Sequence, residues 1–195
     1  MTEQKFIFTP ENLSKYWQIL NNSSDSNERK IANSFLSEFK KNCTNTLEIS
    51  MTLFSSESLD DKLISSILIH QYIKDNPKKL LNDKDLFNRI KNYLLNNILI
   101  PYTKAQDNSQ NEINNNKTNL IIERVCYTMS IIILLGCCSF WPDAIDNMLT
   151  FGKQTIKHTY LMTIIFGNCN NELKNLFLSK KQDFIIKNKF IEKKK

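Results

Sequence analysis

An all-α chain assembled from successive helix pairs is what this sequence predicts, and three observations predict it. The 195 residues include only three glycines and four prolines, too few turn-formers for a protein of many short strands. Apolar residues recur at i, i+3, i+4 and i+7 along most of the chain, which is the spacing of one helix face. These periodic stretches come in pairs, at a spacing of roughly 40 residues. A composition of 41% hydrophobic and 24% charged residues suits one folded domain, or one stretch of a repeat array.

Thr9-Pro10-Glu11 opens the first helix, with a Thr cap, Pro at the first helical position and an acid in the first turn. Leu13, Tyr16, Trp17 and Leu20 form its apolar face, and the polar stretch 21–27 is a loop. A second helix is expected over 28–41, with Ile31, Phe35 and Phe39 on one face and Ala32 and Leu36 beside them. Leu47, Met51 and Phe54 mark a short third helix, ended by the turn 55–58. Leu59, Leu63, Ile67, Ile69 and Ile73 carry a longer one to Asp75, and Asn76-Pro77 stops it because the residue before Pro resists the helical region. A third pair is expected over 83–103 (Leu86, Ile90, Tyr93, Leu94) and 119–135. The Asn-rich stretch 105–118 between them has a single aliphatic, Ile113, and predicts a flexible insertion. Trp141-Pro142 starts a fourth pair, with Ile145, Met148 and Leu149 inward, continuing through Ile156, Tyr160, Leu161, Ile164 and Ile165. Leu173, Leu176 and Phe177 begin a fifth, and Leu173, Phe177, Phe184 and Ile185 are expected to cover the end of the array. The period matches HEAT-type solenoids, and a compact helical bundle would give similar helices.

Gly136, Gly152 and Gly167 are too far apart for a phosphate-cradling loop, a dinucleotide fingerprint or a nucleophile elbow. Cys43, Cys126, Cys137, Cys138 and Cys169 are odd in number and lack a C-x-x-C, which argues against a disulfide framework or structural zinc and for a reducing compartment. Cys126, Cys137 and Cys138 read as buried small hydrophobes, and Trp17 and Trp141 as core or cap residues. The first residues lack a secretory pattern. The most apolar run, 129–141, is about half of the roughly 20 residues a bilayer span needs, so a buried helix is expected. Net charge is +6, of which +5 falls in residues 180–195, a basic tail on a nearly neutral body. That distribution disfavours a specific nucleic-acid binder. The two histidines, His70 and His158, complete no nucleophile–base grouping, so no catalytic residue, cofactor or metal is assigned.

Four short strings carry a resemblance. Ala32-x-x-Phe35-Leu36 is similar to the A-x-x-W/F-L of the second helix in importin-beta family receptors. Ser65-Ser66 followed by Ile69-His70-Gln71-Tyr72-Ile73 resembles that family's small-residue pair and L-[HK]-x-x-I. Arg124-Val125-Cys126 resembles its R/Q-L-C, and Trp141-Pro142-x-Ala144-Ile145-x-x-Met148 its W-P-x-A-V-x-D-M string. The order is the family's over about residues 7–180, and the transportins that carry serine/arginine-rich splicing factors resemble it most closely.

The resemblance implies a right-handed α-α superhelix, a HEAT-repeat or armadillo-like solenoid of four to five helix pairs. Its array would span 1–180, including the 105–118 insertion, with a basic tail over 181–195. It also implies nucleocytoplasmic transport by a short importin-beta-like receptor or fragment that binds the GTP form of a Ran-type small GTPase. Nucleoporins and a cargo protein would be further partners, and the location would be cytoplasm, nucleus and nuclear pore. Ser66, His70 and Arg124 are the matching positions on the expected inner helices. Lys62 and Lys74 share a helix with His70 and could pair with an acidic partner. A helical-repeat adaptor that has lost GTPase and cargo binding is the alternative.

Overall fold

The computed structural model describes residues 6–104, 112–137 and 139–192, with side chains described for 6–104, 116–137 and 139–174. All regular structure among them is helical: α1 (Pro10–Asn22), α2 (Ser26–Asn42), α3 (Thr46–Phe54), α4 (Leu59–Asp75), α5 (Pro77–Asn82), α6 (Lys84–Asn92), a π-helical segment (Tyr93–Leu99), α7 (Ile100–Lys104), α8 (Glu112–Gly136), α9 (Ala144–Gly152) and α10 (Ile156–Glu192). The chain divides into two compact units. The first holds α1–α4 and α8 up to Val125, and the second holds α5–α7, α8 from Cys126, α9 and α10.

In the first unit α1 packs on α2 and α3 on α4, and α1 also touches α3 and α4. Connections this short between packed helices make each pair antiparallel. Leu13, Phe35, Leu36, Phe39, Leu53, Ile64 and Leu68 form one core cluster drawn from all four helices. Phe6 and Phe8 precede α1 and turn inward while Ile7 between them is 70% exposed, the two-residue alternation of an extended segment. Both rings meet Phe35 edge-on, at 5.4 and 5.7 Å, and Tyr16 stacks on Phe35 at 4.3 Å from the other helix. Aromatic pairs of this kind contribute about 0.5–1.5 kcal/mol each beyond the area they bury. The inward stripe of α2 is Ala32, Phe35, Leu36 and Phe39, while the expected Ile31 is 41% exposed. Thr9 caps α1 by accepting from the Asn12 N–H at 3.2 Å, as its sequence predicts.

Pro77, the last residue of the first unit's opening stretch, stops α4 and is also the first residue of α5, where its missing N–H costs nothing. The expected single helix over 83–103 contains the π segment, and its cause is Pro101. Proline cannot donate to the carbonyl four residues back and its ring crowds that carbonyl. The helix widens ahead of it, and the Ile100 N–H reaches back five residues to Leu95 O. Gly136 lets Phe87 and Trp141 close on the end of α8: a Cβ there would lie 2.7 Å from Phe87 Cζ and 3.1 Å from Trp141 Cβ. Trp141 is buried, with the Lys91 ammonium 4.9 Å above its ring. α9 packs on α10 through Ala144, Met148 and Gly152, and Gly152 makes room for Met162.

Several expectations are corrected. Ile145 and Leu149 are about half exposed and only Met148 of that trio points inward. Ile156 (89% exposed) and Tyr160 face solvent, and the buried stripe of α10 is His158, Leu161, Met162, Ile165 and Cys169. No break divides α10, because after Gly167 no Gly or Pro interrupts it. Leu173 therefore continues the helix that Ile156 begins and starts no new one. Residues 112–118, expected to be part of a flexible insertion, are the first turns of α8, propagated from its apolar body and tied down by Lys117. The remainder of that insertion, Cys138, the side chains of Leu176, Phe177, Phe184 and Ile185, and residues 193–195 lie outside the described residues. Leu173 is 42% exposed. The stretch Asn116–Gly136 is long and apolar enough to cross a membrane, beyond the run seen in the sequence. Ile121, Ile122, Val125, Cys126, Met129, Ile132 and Ile133 are buried within the protein, as in a core helix.

Candidate functional site

The first turn of α4 is organised around Asp61. Ser58 is the N-cap, and its hydroxyl accepts from the Asp61 N–H at 3.4 Å. In a capping box the acid at the third helical position returns the favour to the cap's own N–H. Here a second hydroxyl stands between them: the Ser58 N–H donates to Ser56 Oγ at 3.1 Å, and Ser56 Oγ donates to Asp61 Oδ2 at 2.9 Å. From α1, Ser14 Oγ donates to Asp61 Oδ1 at 2.6 Å, and Gln18 Nε2 donates to Ser14 Oγ at 3.3 Å. A hydroxyl has one proton to give, and Ser14 and Ser56 both give theirs to this carboxylate. Asp61 is 6% exposed, so it is a buried acceptor that ties α1 to the α3–α4 corner. Above it lies a cleft of about 590 Å³ lined by Glu11, Ser14, Lys15, Gln18 and Ser56 among others. The Glu11 carboxyl at its edge is held below its usual pKa by its own backbone N–H and by the Thr9 hydroxyl.

The expected partner-contact residues divide. Lys62, Ser66, His70 and Lys74 follow one another at four-residue steps, and each step turns about 40° around the helix. The row therefore winds out of one face into another. Ser66 (2% exposed) and His70 (6%) are buried. The physical reason is that α4 is enclosed over most of its circumference, burying Asp61, Ile64, Ser65, Leu68, Ile69 and Ile73 as well. Ser66 Oγ donates to Leu63 O at 2.7 Å, within its own helix. Lys62 is half-buried, Lys74 is exposed in the last turn, and the two do not share a face. Arg124 is exposed on α8.

The open arc of α4 runs instead through Asp60, Leu63, Ile67, Gln71 and Lys74. Across it comes α8, whose Lys117 Nζ forms an ion pair with Asp60 Oδ1 at 2.8 Å, both side chains about 40% exposed. Under this pair lies a cavity of about 260 Å³ lined by Trp17, Gln18, Asn21, Asn22, Leu63 and the pair itself. Trp17, expected as core, packs on the core cluster, and its indole N–H is buried without a hydrogen-bond partner. Asp60, Asp61 and Lys117 escaped the sequence reading. The spacing of Ser58 and Asp61, a cap residue followed three positions later by an acid, was the available signal for one of them.

Elsewhere, His158 sits in the first turn of α10 with Nδ1 2.7 Å from Thr155 Oγ1 and its ring 4.5 Å from Phe151. Burial lowers its pKa from the usual 6.5. The Cys169 thiol is pushed up to about 11 by burial and by nearby Cys137, so it stays protonated. Cys126 is buried and Cys137 half-buried. Among the described residues no group of three or more His, Cys, Asp or Glu side chains is placed to hold a metal. Comparison with family models, with curated proteins and with solved structures finds no match for this chain.

Proposed function

We propose that this chain is a non-catalytic protein-binding array of the importin-beta kind, which binds the GTP form of a Ran-type small GTPase in nuclear protein import. The observation that carries the reading is the pairing in the first unit. Two successive antiparallel pairs share one core, with the exposed cation Lys74 on α4, the second helix of its pair, and exposed Arg124 on α8. Half-buried Lys62 is a second cation on α4. On this reading the pairs are HEAT-type repeats of a right-handed superhelix, its inner row formed by the second helices. Nucleoporins and a cargo protein are the further partners, and the protein works between cytoplasm and nucleus.

A pull-down with GTP-loaded and GDP-loaded Ran tests this. Selective retention of the GTP form, weakened by Lys74→Glu or Arg124→Glu, is expected; equal or absent retention of the two forms overturns it. A second reading, a helical-repeat adaptor without GTPase binding, is favoured by the burial of Ser66 and His70, two of the positions on which the resemblance rests. A folded chain that ignores Ran while a non-transport protein binds it would decide for the adaptor.

A further inference from the structure

We infer that the cleft between α1 and the α3–α4 corner is a binding site for a small organic amine, whose ammonium group sits against Asp61 and Glu11. The site goes beyond the GTPase reading and stands whether or not the chain binds a GTPase. At about 590 Å³ the cleft has the usual size of a small-molecule pocket, and α1, α3 and α4 of the first unit all contribute to its lining. Its charged lining groups are two carboxylates, Glu11 and Asp61, and one ammonium, Lys15.

Asp61 is the residue that points to a ligand. A carboxylate only 6% exposed is ordinarily matched by a cation. Among the described residues none pairs with it, and Lys15 Nζ stands instead 5.8 Å from the centre of the Tyr16 ring. Two serine hydroxyls give Asp61 protons but no charge. They take one acceptor position on each oxygen, at 2.6 and 2.9 Å, of the roughly four that a carboxylate offers. Ser14 and Ser56 have thereby spent their protons, and each also accepts one bond, from Gln18 Nε2 and from the Ser58 N–H. One lone pair is what each has left. Ser55 gives its proton to Met51 O at 3.5 Å. The lining is therefore rich in acceptors and short of donors, which selects a ligand bringing N–H groups and positive charge and disfavours an anion. An ammonium, with three donors and no acceptor, has that character. A bare metal ion fits less well, because among the described residues no three His, Cys, Asp or Glu side chains are grouped to hold one. Bound there, the amine supplies the charge that Asp61 lacks and stabilises the folded first unit.

The test titrates the whole chain with 1,4-diaminobutane in a calorimeter. The uncharged 1,4-butanediol serves as a probe of the same length and magnesium chloride as the metal probe, all at matched ionic strength. Saturable binding of the diamine at one site, without binding of the diol, is expected, and the diamine should raise the melting temperature where the diol does not. Glu11→Gln, at the exposed edge, should weaken binding by about twofold to fivefold, and Lys15→Glu should tighten it by a similar factor. Asp61→Asn should weaken it by about tenfold or more. Asp61→Asn also loosens the corner, so Lys15→Glu, an exposed change that adds affinity, keeps the test separate from folding. Absence of saturable binding, equal binding of the diol, or tighter binding of magnesium than of the diamine overturns the inference. Diamine affinity unmoved by both Glu11→Gln and Lys15→Glu places the amine elsewhere and overturns it too.

Discussion

Replacing Asp61 by alanine removes the one acceptor on which two hydroxyls converge. Ser14 Oγ at 2.6 Å and Ser56 Oγ at 2.9 Å both donate to it, and hydrogen bonds to a charged acceptor contribute about 1.5–3 kcal/mol each. The acid in the first turn of α4 adds about 0.3–1 kcal/mol against the helix dipole. Both serines are half-buried and border the open cleft, so water takes up part of what they lose. Halving the hydrogen-bond contribution leaves an expected loss of about 2–4 kcal/mol. Asp61→Asn keeps the shape and one acceptor oxygen, and should cost about half as much. Urea unfolding followed by far-ultraviolet circular dichroism measures the loss. Hydrogen exchange should locate it in α1 and the first turn of α4. A double-mutant cycle with Ser14→Ala should return a coupling of about 1–2 kcal/mol, since the two residues are in direct contact. A loss under about 0.5 kcal/mol for Asp61→Ala, or a coupling of zero, would refute the idea that this carboxylate joins the helices.

The glycines of the second unit should respond in opposite directions. Gly167→Ala, where nothing lies within 4 Å of the new methyl, should stabilise by about 0.5–1 kcal/mol, whereas Gly136→Ala drives Phe87 and Trp141 apart and should destabilise. Thermal melting of both variants checks the pair, and a Gly136→Ala protein as stable as wild type would show that Phe87 moves freely. His158 sets a pH dependence. Its folded pKa lies below the unfolded 6.5, so between the two values the unfolded chain holds the extra proton. Stability is then complete above pH 6.5 and falls as pH drops toward the lowered folded value. His158→Gln should flatten that slope in urea midpoints measured across the window, and parallel slopes would count against it.

Local chemistry made the helices legible. Thr9-Pro10-Glu11 and Asn76-Pro77 each combine a cap or a breaker with the end of a periodic run, and the structure starts or ends a helix there. What failed depended on which neighbour a helix meets. Ile31 and Ile145 are as apolar as the residues beside them, and only the packed partner selects Ala32 over Ile31 or Ala144 over Ile145, because a small side chain lets the helices approach. α5 was missed because its proline was read as a stop alone. The π segment was missed because periodicity shows the buried face while the register change lies in the backbone, where Pro101 forces it.

The site was harder to read for a related reason. On α4 the row Lys62, Ser66, His70, Lys74 looks like a polar stripe, and a polar stripe is ordinarily the wet side of a helix. It would be the wet side if α4 met a single neighbour. Enclosure over most of the circumference reverses the inference, since small and weakly polar residues are then what a crowded interior admits. Ser66 shows this by bonding its own backbone, and Asp61 by being a buried charge that needs α1's Ser14 to satisfy it. The positions the enclosing helices leave open are Lys74 at one end of the arc, Asp60 with its ion pair to Lys117 at the other, and Leu63, Ile67 and Gln71 between. A mixed arc of this kind, apolar in the middle and charged at both ends, reads as an ordinary amphipathic flank in sequence. The ion pair, arriving from a residue 57 positions away, is a contact that no local pattern in α4 announces.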